Sequence, residues 1–118
     1  VFTRRFHRIP VDYDAYLVAE DASLPCVIEN ISEGGLNILI TVKSSPPLAT
    51  GGFVTLQFEV PRGEEYEMLE REISLTCEII WIHEARGGGL RLGLRVADEN
   101  LSYQNLVKTL YMKRVGFL

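Results

Sequence analysis

Three arginines crowd the start of the chain, Arg4, Arg5 and Arg8, with His7 beside them and no acid among residues 1–8. Guanidinium is a planar fork that stays charged, so it can grip phosphate oxygens, bond O6 and N7 of guanine in bidentate fashion, or stack on a base. A second chemically suggestive stretch is Asn30-Ile31-Ser32-Glu33-Gly34-Gly35. Asn30 and Ser32 are two apart, which on an extended backbone puts a carboxamide and a hydroxyl on one face. The glycines permit a tight turn and close approach of a ligand to the backbone. Taken singly, the first stretch also reads as a solvated basic terminus and the second as a plain turn.

The elements that must position these residues are strands. Leu90, Leu92, Leu94 and Val96 alternate with Arg91, Gly93 and Arg95, and Val54, Leu56, Phe58 and Val60 alternate with Thr55, Gln57 and Glu59. This period of two marks half-buried strands. Ile73, Leu75, Cys77, Ile79 and Trp81 read as one face of a longer strand, with Ile80 and Ile82 making its far end apolar on both faces and in need of cover. Trp81 is accordingly assigned to the core, although it could stack on a guanine if its ring opened toward the arginine arm. Val11–Val18, Leu24–Ile28 and Leu36–Ile40 supply three more strands. Turn residues punctuate them at 20–23, 44–47, 51–52 and 61–64, and Gly87-Gly88-Gly89 can take the positive φ angles of a hairpin. Tyr103, Leu106, Val107, Leu110 and Tyr111 follow helical spacing, predicting one amphipathic helix over Ser102–Arg114, capped by Asp98, Asn100 or Ser102. The expected fold is all-β: a six- to seven-stranded antiparallel barrel closed by one C-terminal α-helix.

Composition narrows the function. The chain has 118 residues, 47% hydrophobic and 24% charged, which suits one domain with one core. A formal net charge of −4 argues against general nucleic-acid binding, whereas a local cationic arm on an acidic body suits a small anion. No apolar run reaches the roughly 20 residues of a membrane span. Cys26 and Cys77 lie in apolar strands and read as buried thiols. With His7 and His83 they lack metal-ligand spacing, so no metal is expected. The acidic stretch Glu64, Glu65, Glu67, Glu70 and Glu72 reads as a solvated loop and edge strand rather than as catalytic carboxylates. No nucleophile, base and oxyanion hole assemble, so no enzyme is expected. The chain starts at Val1 and ends Gly116-Phe117-Leu118, which suggests a domain excised from a longer protein.

Together, Arg4-x-x-x-Arg8 and Asn30-x-Ser32-x-x-Gly35 resemble the paired signature of PilZ domains, Arg-x-x-x-Arg followed by Asp/Asn-x-Ser-x-x-Gly. The Leu92-Gly93-Leu94-Arg95-Val96 strand resembles the family's late glycine-containing strand. The resemblance implies a receptor for the bacterial second messenger cyclic di-GMP, exposed to the cytoplasm where that nucleotide is made. It also implies roles: Arg4 and Arg8 on guanine and phosphate groups, Asn30 on a guanine edge, Ser32 on the ligand, Gly35 in the turn, and Arg5 as a neighbour outside the motif. Thr3, where a basic residue goes with a stacked ligand pair, favours a single ligand. The expected organisation is a basic arm over residues 1–10, a barrel over 11–97 and a closing helix and tail over 98–118. Ordering of the arm on the ligand would carry the signal to other domains of the polypeptide or to a regulated partner. The alternative is a barrel of the same kind that serves as a protein-interaction module without the nucleotide.

Overall fold

The computed structural model describes residues 8–42 and 46–116. Six strands form: β1 (Ile9–Ala19), β2 (Ala22–Ile31), β3 (Gly35–Ile40), β4 (Phe53–Glu59), β5 (Glu72–Glu84) and β6 (Leu90–Val96), followed by helix α1 (Leu101–Arg114). All pair antiparallel, in the closed order β1-β2-β3-β6-β5-β4, with β1 bonded to both β2 and β4. Closure removes the edges, so Glu72, expected on an edge strand, instead pairs with Glu59 inside the ladder.

The alternation sorts side chains between the barrel interior and its outer surface. Leu17, Ile28, Ile38, Leu56, Leu75, Ile79 and Leu92 are fully buried and fill the interior. Burying each such side chain contributes about 1.5–3 kcal/mol. Both cysteines point into this core and are free thiols. Tyr103, Leu106, Val107 and Leu110 of α1 join the same core cluster, so the helix closes over the barrel as its spacing predicts. Asn100 is the residue that caps it: its Oδ1 accepts from the Tyr103 amide at 2.9 Å, and its Nδ2 donates to Ser74 O. The acidic stretch also ties the helix down, through Glu70 to Ser102 and Glu65 to Lys113 at 2.9 Å each.

Three irregularities depart from simple alternation, the first a shift of the β1–β2 register between Pro10 and Tyr13. The β2–β3 register shifts between Ile28 and Asn30, making Glu29 an extra residue. The β5–β6 register shifts between Ile79 and Trp81, making Ile80 the extra one. Such bulges turn every following side chain to the other face. Trp81 therefore leaves the face of Ile79 and lies outside the barrel opposite Gly93, and its assignment to the core is corrected. Ile80 does not acquire the expected cover and remains 44% exposed. The glycine hairpin forms as expected, with φ of 79°, 99° and 87° at Gly87, Gly88 and Gly89.

Candidate functional site

The β2–β3 turn and the start of β1 meet at one end of the barrel. Pairing of Ile9 with Ile31 and Pro10 with Asn30 carries Arg8 onto the turn. The Arg8 Nη1 donates to Asn30 Oδ1 at 2.8 Å, so one residue of each motif is in contact across 22 intervening steps of chain. Arg4 and Arg5 lie outside the described residues.

Ser32 is 3% exposed and its hydroxyl works within the turn. It donates to Gly35 O at 3.2 Å and accepts from the Gly35 amide at 3.3 Å, while the Ser32 amide donates to the same carbonyl at 2.9 Å. Gly35 is required by its surroundings: a Cβ there would overlap the Leu94 carbonyl oxygen. One residue of α1 completes the turn. The Tyr103 hydroxyl donates to Ser32 O at 2.5 Å and lies 3.2 Å from Gly35 O. Burial holds that hydroxyl protonated far above the usual tyrosine range, so it is a dependable donor.

Arg8 differs in its pairing from Arg91 and Arg95 of β6. Arg91 is held by both oxygens of Glu29, at 2.9 and 3.2 Å. Arg95 is held by Glu78 at 2.5 Å, its partner across the strand pair. Arg8 is bonded to a neutral amide instead, so its positive charge stays available for an anion. A concavity of about 800 Å³ lies elsewhere, between β1, β4 and β5. Its lining includes Asp12, Asp14, Glu59 and Glu72 against Arg62 and Arg71, a balance that disfavours a phosphorylated ligand.

The outer face beside the turn carries residues that strand alternation did not single out. Asn30, Asn37 and Gly93 lie opposite one another across β2, β3 and β6, and Trp81 follows on β5. A Cβ on Gly93 would overlap the pyrrole part of the indole, and Trp81 stacks on His83 with ring centroids 4.7 Å apart. A glycine inside a regular strand signals such close approach, and an Asn amid Leu36, Ile38, Leu39 and Ile40 marks an outward polar position.

The sequence matches the family model for the PilZ domain over residues 2–113. The chain belongs to the PilZ domain family. Solved structures of that fold agree. Bacillus subtilis inhibitor of motility (MotI/DgrA) superposes with a TM-score of 0.75 at 15% identity, covering 98% of this chain and 52% of that one. The chain thus spans about half of the MotI chain. The PilZ domain of YcgR from Escherichia coli, solved with c-di-GMP, gives 0.72 at 18% identity, covering 94% and 93%. The PilZ domain of CeSA from a cellulose-synthesizing bacterium gives 0.56 at 20% identity, covering 94% and 97%. No curated protein matches the sequence. In this PilZ domain Arg8 and Asn30 meet at the surface of one end of the barrel, above the buried Ser32 and Gly35 of the β2–β3 turn. Among the described residues no group of three metal-ligating side chains comes together, and no helix is long and apolar enough to cross a membrane.

Proposed function

We propose that this PilZ domain is a receptor for cyclic di-GMP, without catalytic activity, and that it binds the nucleotide against the β2–β3 turn. The observation that carries the reading is the 2.8 Å contact of Arg8 with Asn30, which joins the two motifs and leaves the arginine's charge unneutralised. The ligand has two phosphates and two guanines, so it needs cationic forks and neutral hydrogen-bonding groups together. Arg8, with Arg4 and Arg5 ahead of it, supplies the forks, and Asn30 and the Ser32–Gly35 turn supply the neutral groups. The YcgR structure with c-di-GMP on the same fold supports this choice of ligand. In this reading the arm closes over the bound nucleotide. Its ordering costs backbone and side-chain entropy, offset by charge-assisted bonds to phosphate and base. Whatever is attached ahead of the arm then moves with it, which is the output to a neighbouring domain or partner protein.

Isothermal titration calorimetry with cyclic di-GMP, with GTP as control, tests the reading. Saturable binding at micromolar or tighter concentrations is expected, with no heat from GTP. Arg8→Ala loses a charged hydrogen bond worth about 1.5–3 kcal/mol, or roughly ten- to 150-fold in affinity, and keeps the wild-type melting temperature. A folded wild-type domain that gives neither heat nor thermal stabilisation would move the assignment to a protein-interaction module.

A further inference from the structure

Asn37 lies in the middle of β3, on the outer face, opposite Asn30 of β2 on one side and Gly93 of β6 on the other. Neighbouring strands are about 4.8 Å apart, so Asn37 is one strand spacing from the residue that holds Arg8. Its side chain is partly exposed, yet its Oδ1 is shielded from solvent and has no hydrogen-bond partner among the described residues. Native proteins leave few such oxygens without a donor, and each asks for an explanation. Beyond Asn37 the strand row is cut back to backbone at Gly93, and the Trp81 indole lies across the gap. Asn30, by contrast, has already committed its one carbonyl oxygen to Arg8. With one lone pair of that oxygen taken by Arg8, a second acceptor facing the donor edge of a base would complete the site.

We propose that Asn37 supplies that acceptor and is a guanine-reading residue of the site. The inference rests on the cyclic di-GMP reading above. Guanine presents N1–H and the 2-amino group side by side, two donors facing one way, and an amide oxygen accepts from both. The side-chain amide of Asn turns about χ2 in a broad well, so Oδ1 can swing from its shielded position toward a base laid on the outer face. A base seated there has the Arg8–Asn30 pair on one flank and Trp81 on the other. Adenine has an acceptor at N1 and no 2-amino group, so the same oxygen disfavours it.

The test compares wild type, Asn37→Ala and Arg8→Ala by calorimetry, each with cyclic di-GMP and with cyclic di-IMP, which keeps N1–H but lacks the 2-amino group. Asn37→Ala is expected to weaken cyclic di-GMP about tenfold, the effect of losing one or two hydrogen bonds, and cyclic di-IMP clearly less. Its melting temperature should not fall, because alanine removes a shielded oxygen that had no donor. A merely structural asparagine would instead lower the melting temperature and weaken both nucleotides alike. If wild type binds and Arg8→Ala does not, while Asn37→Ala binds cyclic di-GMP like wild type, the inference is overturned and the receptor reading stands. If wild type binds neither nucleotide, the receptor reading fails and this inference falls with it.

Discussion

Removing one oxygen atom from the helix should loosen the turn. Tyr103→Phe keeps the buried ring, which is 1% exposed, and deletes the hydroxyl that donates to Ser32 O at 2.5 Å. Gly35 O retains the Ser32 amide and hydroxyl as donors, so the loss falls on the Ser32 carbonyl. A buried carbonyl stripped of its donor costs about 1–3 kcal/mol. Unfolding entropy for a domain of this length is about 0.25 kcal/mol/K near the midpoint, so the melting temperature should drop by about 4–12 °C. Thermal unfolding followed by circular dichroism, with a urea titration to give the free energy, measures both quantities. The same turn carries Asn30 and Ser32, so cyclic di-GMP affinity should fall with it. A variant melting within about 1 °C of wild type would show that α1 does not hold the turn through this bond, and the account of Tyr103 would be wrong.

Gly93→Ala places a Cβ where the indole of Trp81 lies, so the ring must swing outward, at a cost of about 1–3 kcal/mol for overpacking. Fluorescence of the single tryptophan should shift to the red; an unchanged spectrum and melting temperature would refute the packing. Burial pushes both the Cys26 and the Cys77 thiol up to about 12 from an ordinary 9, Cys77 with a smaller contribution from the charge of Asp98. In the unfolded chain the thiols lose protons above pH 9 while the folded chain keeps them, so the unfolded state binds fewer protons and stability falls as pH rises from 9 to 12. At pH 10 the two together remove about 3 kcal/mol. Urea unfolding at pH 8 and pH 10 should show this loss in wild type and a much smaller one in Cys26→Ala/Cys77→Ala; equal losses would discount the thiols.

The barrel was legible in the amino-acid order because burial on a strand leaves a local trace. Leu90 to Val96 alternates with no exception, and the strand forms over those residues. The helix expected over Ser102–Arg114 begins one residue earlier, at Leu101, where Asn100 provides the cap. Local capping and side-chain period are properties of neighbouring residues, and they need no knowledge of the rest of the fold. The two motifs were legible for the same reason, as residue types at fixed spacing. Their contact was not: only the pairing of β1 with β2 brings Arg8 to Asn30.

The position of Trp81 shows most clearly what tertiary structure alone decided. By alternation it follows Ile79 into the core, but one bulge residue at Ile80 turns it outward onto Gly93. A bulge is a relation between two strands and leaves no mark in the composition of either. The same holds for Tyr103, whose helical spacing predicts burial but not a partner 71 residues away. Sequence pattern determined which elements form and, except beyond a bulge, which of their residues are inside. Closure of the barrel determined which of them meet, because register and long-range hydrogen bonds are set by the pairing of segments that no local pattern connects.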